Sequence, residues 1–162
     1  MPTPSQTVGP FFGFALPFDG GAETVAAGVP GAVRIEGQVI DGAGGVIPDA
    51  LLEVWIGDQF ARCRTDAEGG YHFVVRKPPA VSDAGGRRHA PHLNVTVFAR
   101  GLLRHLMTRM YFPDEGPANA IDPVLGQVDP DRRATLVARQ GEGALVFDVH
   151  LQGEGETVFF AL

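Results

Sequence analysis

The stretch from Ala90 to Gly101 constrains the fold more than any other part of the chain, because apolar and polar residues alternate along it. One set of alternate positions is apolar (Leu93, Val95, Val97 and Ala99), and the other set is mostly polar (His92, Asn94, Thr96, Phe98 and Arg100). A period of two is typical of a half-buried β-strand. The stretch therefore predicts a strand with one face in a core and a histidine, an amide and an arginine on the other.

The rest of the chain predicts an all-β sandwich of about eight short strands. The 22 glycines and 13 prolines punctuate apolar segments, as in β-proteins with many turns. Besides the central strand, we expect strands over residues 33–40, 50–56, 62–65, 71–76, 106–112, 145–151 and 157–160. One late helix is predicted, because Asp129 suits an N-cap, Pro130 suits the first helical position and residues 132–139 contain no breaker.

Composition divides the chain into an N-terminal arm with its linker, residues 1–32, and a sandwich domain, residues 33–162. Residues 1–18 have no charged side chain and carry four phenylalanines between positions 11 and 18. Their prolines and glycines argue against a helix. Because so many exposed aromatic rings would promote non-specific association, we expect the arm to pack against a protein surface. That surface belongs either to its own domain or to a partner subunit.

Charge and cysteine content exclude several classes of function. A net charge of −6, with no cluster of Lys and Arg longer than a pair, argues against nucleic-acid binding. The single Cys63 permits no internal disulfide, so a cytoplasmic location is the simplest expectation. The opening lacks the basic start and apolar core of a signal peptide, and no segment is long and apolar enough to span a membrane.

The exposed face of the central strand resembles a metal site that has lost a ligand. A His-x-His pair would place two imidazoles on one face, but here the second position is Asn94, whose amide does not replace imidazole on a transition metal. A hydrogen-bonded structural histidine is the alternative for His92. A zinc site and a Ser-based hydrolase find little support, since the chain has one cysteine and no Gly-x-Ser-x-Gly motif.

Arg100 ends the same predicted strand, precedes a glycine and points away from the core face. It is either a solvated surface arginine or a fixed positive group for a carboxylate or a developing anion. Eight residues at ~3.3 Å each separate it from His92 by about 26 Å, so the two cannot serve one small site.

Seven segments carry a family resemblance: Thr3–Phe11, Gly37–Val39, Leu52–Trp55, Arg64–Tyr71, Ala90–Gly101, Arg109–Phe112 and Gln152–Phe160. In this order, and over nearly the whole chain, they resemble the intradiol ring-cleavage dioxygenases. The central strand and the last segment resemble the alpha rather than the beta chains of αβ members. The resemblance implies oxidative cleavage of 3,4-dihydroxybenzoate by O₂ to 3-carboxy-cis,cis-muconate.

The resemblance also implies where the cofactor lies. In this family the beta subunit holds non-haem Fe(III) with two tyrosines and two histidines, and His92 and Asn94 align with the two histidines. Tyr71 and Tyr111 lie in shared structural motifs, and the tyrosine-bearing excursion between residues 56 and 62 is absent. This chain is therefore expected to bind no metal, to pair with an Fe(III)-containing beta subunit and to form a higher αβ oligomer.

The resemblance places five residues of this chain at the partner's substrate site: Thr7, Gly9, Pro10, Phe11 and Arg100. Family members often have tyrosine where this chain has Phe11. No catalytic residue is expected on this chain alone. Two alternatives stay open, a non-enzymatic β-sandwich that binds a protein or a small ligand, and a self-sufficient metalloenzyme with unrecognised ligands.

Overall fold

The computed structural model of the chain describes residues 3, 9 and 11–161, and it confirms the all-β sandwich. The described residues contain eleven strands: β1 (Ala32–Ile40), β2 (Leu51–Ile56), β3 (Gln59–Arg64), β4 (Gly70–Arg76), β5 (Val81–Ser82), β6 (Arg88–His89), β7 (His92–Phe98), β8 (Leu106–Tyr111), β9 (Arg139–Gln140), β10 (Leu145–Val146) and β11 (Val149–His150). Two short α-helices also occur in these residues, α1 (Phe12–Ala15) and α2 (Gly116–Ala120). No helix of this described part is long and apolar enough to cross a membrane.

Two sheets form the layers of the sandwich. The first is antiparallel, with the strand order β3-β2-β7-β8, so β7 is hydrogen-bonded on both sides. The second is built on β1, which pairs antiparallel with β4 and parallel with β10 and β11, while β9 pairs with β10. A small separate hairpin joins β5 and β6.

The alternation in β7 predicts its core face correctly. Its apolar set is at most 3% exposed (Leu93, Val95, Val97 and Ala99). These side chains belong to one buried cluster with residues of the other sheet (Ile35, Val39, Phe73 and Val75). Burial of such side chains is the main stabilising contribution to a fold of this kind.

Three turns have the same local hydrogen-bonding pattern. They begin at Asp41, Asp66 and Asp83, and in each a carboxylate oxygen accepts N–H bonds from the residues two and four positions later. A glycine three positions after the aspartate has a positive φ, a conformation that favours glycine (Gly44, +82°; Gly69, +74°; Gly86, +78°). Each turn is thus specified by its own sequence.

The predicted late helix is present, but it is a 3₁₀ helix and it ends before residue 139. Residues Pro130–Leu136 form a 3₁₀ helix, the Asp129 side chain does not cap it, and Arg139 already lies in β9. The helix ends because Val137 turns extended and bridges Tyr111, after which the Ala138 N–H donates to the Tyr111 carbonyl at 3.0 Å. Pairing with β8 therefore ends the helix at Leu136.

Other element boundaries also differ from expectation. The opening was predicted to be free of helix, yet four of its residues form α1. The predicted strand over residues 145–151 is split into β10 and β11, and residues 157–160 contribute only a bridge between Phe160 and Met107.

The split between β10 and β11 brings Phe147 against the backbone of β1. A Cβ atom at position 37 would lie 2.0 Å from the Phe147 carbonyl oxygen, which only a glycine avoids. The same oxygen accepts a hydrogen bond from the Tyr71 hydroxyl, and the Phe147 N–H donates to the Glu36 carbonyl at 2.8 Å. The C-terminal strands therefore join the sandwich through a close backbone approach.

Gly37→Ala should lower the free energy of unfolding by about 3 kcal/mol, because backbone on both sides must move to admit the methyl group. Gly126→Ala is the matched control, since a Cβ there meets no atom within 4 Å. Urea unfolding followed by circular dichroism measures both variants. Equal midpoints for the two would show that the Phe147 contact imposes no such constraint.

Candidate functional site

β7 carries the two groups singled out by the sequence at its opposite ends. His92 is the first residue of the strand, and Arg100 lies two residues after its last, Phe98. The expected separation is thus built into the strand. The two ends differ in chemistry.

At the first end, His92 is held in a neutral, half-buried position. Its Nδ1 lies 2.7 Å from the Ala90 carbonyl oxygen, and its ring centroid lies 5.7 Å from that of Tyr111. Burial lowers the pKa of His92, and the charge of Arg109 acts in the same direction. Asn94 is exposed and lies opposite Arg109 in the pairing of β7 with β8.

A buried carboxylate, Asp122, organises this end. Its side chain is fully buried and accepts four hydrogen bonds of 2.8–2.9 Å, from the Tyr111 hydroxyl and from the backbone N–H groups of Ala90, Val124 and Leu125. Burial opposes its ionisation, but these hydrogen bonds outweigh burial and lower the pKa of Asp122. The carboxylate is therefore charged and has no free side toward solvent.

Arg109 adds a fixed positive charge to the same group. Its Nη1 lies 3.3 Å from His89 Nδ1 and 3.4 Å from the Tyr111 hydroxyl oxygen. Burial is the main cause that raises the pKa of Tyr111 to about 12. Tyr111 is therefore a neutral hydroxyl at pH 7, engaged with Asp122.

These residues do not fit a non-haem ferric ion. Such a site needs anionic and imidazole donors that converge on one point. Here one position is an amide, the tyrosine is protonated and hydrogen-bonded, and Arg109 lies beside them. In residues 3, 9 and 11–161 there is no group of three or more His, Cys, Asp or Glu side chains that could hold a metal.

Asp122→Asn should lower the free energy of unfolding at pH 7 by about 2–4 kcal/mol, because the amide turns a donor toward groups that already donate. The folded pKa of Asp122 lies below the unfolded value, so its contribution is complete above the unfolded pKa and is lost as pH falls through the folded pKa. Urea unfolding at pH 7 and in acid measures the difference, which should shrink in acid. Asp131→Asn, at an exposed position, is the control. If the difference in free energy of unfolding between the wild type and Asp122→Asn does not change with pH, this role of Asp122 is contradicted.

The second end of β7 is open. The Arg100 side chain is 63% exposed, and its Nε contacts Oδ2 of Asp49. Gly101, with a φ of +85°, lets the chain turn away directly after it. A surface cleft of about 750 Å³ lies here, lined by Arg100, Asp49, Arg64 and two residues of α1, Gly13 and Phe14, among others.

The structure brings the arm and Arg100 to this one cleft. Of the predicted arm residues, Thr7 and Pro10 lie outside the described residues. Gly9 has a φ of +74° and open space around it, and Phe11 is 78% exposed at the start of α1. Because α1 follows Phe11 directly and lines the cleft, the end of the arm and Arg100 share one surface.

The arm packs on its own domain with one face and leaves the other largely exposed to solvent. Phe12 is 4% exposed, with its ring 6.5 Å from that of Phe98, and the Leu16 carbonyl accepts a hydrogen bond from Arg62 at 2.8 Å. Three other rings of the arm are largely exposed (Phe11, 78%; Phe14, 74%; Phe18, 53%), although Arg64 lies over the Phe14 ring at 5.4 Å and Arg62 over the Phe18 ring at 6.0 Å. Packing on its own domain therefore accounts for only part of the arm's apolar surface.

Sequence reasoning missed two acidic residues that shape these ends. Asp49 is 51 positions before Arg100, and Asp122 is 11 positions after Tyr111. Neither belongs to a motif with a spacing that predicts its partner. Only the folded chain places them.

Comparison with solved structures gives the class of fold. No family model matches the chain. The fold is similar to the dioxygenase domain of a dioxygenase–carbohydrate-binding protein fusion from Streptomyces sp. SirexAA-E, with a TM-score of 0.62 and 24% identity over 94% of this chain and 99% of that one. It is also similar to hydroxyquinol 1,2-dioxygenase from Pseudomonas putida DLL-E4, with a TM-score of 0.61 and 20% identity over 91% of this chain and 65% of that one. The sandwich is thus an intradiol dioxygenase fold.

Sequence comparison identifies the family within this class of fold. The chain is 40% identical to the protocatechuate 3,4-dioxygenase alpha chain of Pseudomonas putida over 191 aligned positions, covering 98% of this chain and 95% of the relative. It is 42% identical to the alpha chain of Burkholderia cepacia over 195 positions, covering 98% and 96%. The beta chain of Burkholderia cepacia is 30% identical over 157 positions, covering 77% and 66%. The chain belongs to the family of protocatechuate 3,4-dioxygenase alpha chains.

Proposed function

We propose that this chain is the iron-free alpha subunit of an αβ protocatechuate 3,4-dioxygenase and that it forms a wall of the active site of the beta subunit. The reaction is the cleavage of 3,4-dihydroxybenzoate by O₂ between its two hydroxyl-bearing carbons, and both oxygen atoms enter the product 3-carboxy-cis,cis-muconate. Intradiol dioxygenases use non-haem Fe(III) for this chemistry. The observation that carries the proposal is the identity to two alpha chains over nearly their full length.

Two features support a division of labour between the subunits. The end of β7 where a His-x-His pair would stand is filled by the Asp122 network and Arg109, so Fe(III) is assigned to the beta subunit. The similarity to a beta chain as well as to alpha chains agrees with pairing of two related sandwiches. A higher oligomer of αβ units follows as an expectation of this pairing.

Arg100 is proposed to supply positive charge at the substrate site. The substrate carries a carboxylate, and negative charge develops on the ring oxygens during cleavage. A guanidinium suits such anions, because its planar fork donates several hydrogen bonds at once. The side chain is exposed in the free subunit and borders an open cleft, as a group that completes a partner's site must be.

Residues 1–32 are proposed as a partner-contacting arm, with Thr7, Gly9, Pro10 and Phe11 at the mouth of the beta subunit's site. The three outward rings of the arm support this assignment. Burial of one phenylalanine side chain contributes roughly 1.5–3 kcal/mol, so several can order a segment of this length and exclude water from the site. The free thiol of Cys63 agrees with a cytoplasmic enzyme.

Arg100→Ala in the co-expressed αβ complex should lower kcat/KM for 3,4-dihydroxybenzoate by an amount equal to about 2–4 kcal/mol, with no loss of iron. Arg139→Ala is the matched control, because Arg139 is 69% exposed and also pairs with an aspartate, Asp148. Steady-state kinetics and iron analysis on the same samples measure both. An unchanged kcat/KM would make Arg100 a solvated surface residue.

Phe11→Ala together with Phe14→Ala should weaken the αβ contact, because both rings are proposed to bury against the beta subunit. Ile121→Ala is the control: Ile121 is 76% exposed and precedes Asp122, at the opposite end of β7 from Arg100. Sedimentation measures assembly, and circular dichroism checks that the sandwich stays folded. Assembly and turnover equal to the control would remove Phe11 and the arm from the proposed site.

A further inference from the structure

We propose that Asp49 is a positioning residue that fixes the orientation of Arg100 toward an anionic substrate. This inference rests on the proposed function of Arg100 and adds the residue that makes that function possible. It follows from which nitrogen of the guanidinium is engaged, from how rigidly Asp49 is held and from how freely Arg100 would otherwise move.

The contact between the two residues uses only one side of the guanidinium. Oδ2 of Asp49 lies against Nε of Arg100. Within the described part of the chain, Nη1 and Nη2 of Arg100 have no other partner. The two terminal nitrogens, with four N–H groups, thus remain available for a carboxylate or an oxyanion. By contrast, Arg139 contacts Asp148 through Nη2 and so engages one of its terminal nitrogens.

Asp49 is held on a rigid part of the fold. Its neighbours on both sides are tied to the buried side chain of Thr65. The Thr65 hydroxyl donates to the Ile47 carbonyl at 2.7 Å and accepts from the Ala50 N–H at 2.9 Å, while the Thr65 N–H donates to the Ala50 carbonyl at 2.9 Å. Ala50 is fully buried, and the Asp49 side chain is only 19% exposed.

Arg100 has no such support of its own. It lies on a turn after the end of β7, beside a glycine, and most of its side chain is in solvent. A free arginine samples many rotamers, and ordering it on substrate binding has an entropic cost. A carboxylate fixed at Nε removes part of this cost before the substrate arrives and aims the fork at one point.

Orientation and charge predict opposite signs for removal of Asp49. The carboxylate lowers the net positive charge around Arg100, so its loss alone would strengthen attraction of an anion. If its main effect is to orient the guanidinium, its loss lowers kcat/KM. The sign of the change therefore separates positioning from simple charge compensation.

The test is a double-mutant cycle in the co-expressed αβ complex, with kcat/KM for 3,4-dihydroxybenzoate, iron content and assembly measured for each variant. Asp49→Ala should lower kcat/KM about tenfold with iron and assembly unchanged, and it should have no further effect in an Arg100→Ala background. Asp148→Ala, which removes the carboxylate of the Arg139 pair, is the control and should leave kcat/KM unchanged. Asp49→Asn should lower kcat/KM by about threefold, because a neutral amide replaces the carboxylate beside Nε, and this variant carries the test if the alanine variant does not assemble.

The outcomes distinguish the inference from the function on which it rests. An unchanged or higher kcat/KM for the Asp49 variants, beside an impaired Arg100→Ala, overturns the positioning role and leaves the function of Arg100 in place. An equal fall in both backgrounds shows a structural effect of Asp49 and also overturns it. No effect of Arg100→Ala overturns the proposed function of Arg100, and the role of Asp49 with it.

Discussion

The carbonyl oxygen of Phe147 occupies the space that a side chain at position 37 would need. At this close approach, the pairing of the C-terminal segment with β1 is interrupted between β10 and β11, and the buried Tyr71 donates its hydroxyl hydrogen bond to the same oxygen. β1 can then pair with β4 and with both C-terminal strands. The second sheet depends on this contact, and the core that β7 faces depends on the second sheet.

β7 is rigid because both of its edges are paired, and it therefore holds the polar groups around His92 and the Arg100 guanidinium at a fixed separation. At the His92 end, ionised Asp122, protonated Tyr111 and cationic Arg109 satisfy one another. At the Arg100 end, the guanidinium contacts one carboxylate and leaves the rest of its donors toward a cleft. A buried polar network whose hydrogen bonds are satisfied within the chain stabilises the fold, whereas exposed donors can bind another molecule. Because β7 separates its two ends, one domain contains both kinds of site.

Patterns within a few residues predicted most of the fold. The period of two in β7 identified its buried face. The turn from Asp66 to Gly70 is also a local feature, because the Asp66 carboxylate accepts a hydrogen bond from the Gly70 N–H. The helix expected after Asp129 is present, but it is of the 3₁₀ type and ends at Leu136, because Val137 pairs with Tyr111 in a long-range contact. The sites were less predictable for the same reason. The alternation placed Arg100 outside the core, but its partner Asp49 lies 51 residues away with no signal of spacing.

The Asp122 network has a consequence for the assembly proposed above. A protein that needs a metal to complete its core gains stability with metal concentration by mass action. This chain fills the His92 end of β7 with its own side chains, and its folding is linked to protons through Asp122. In an αβ enzyme the two related sandwiches would then respond to different variables, one to acidity and the other to metal supply. If the beta subunit holds the iron, as proposed, the alpha chain would fold at low iron concentration and could pair with beta chains that have bound their metal.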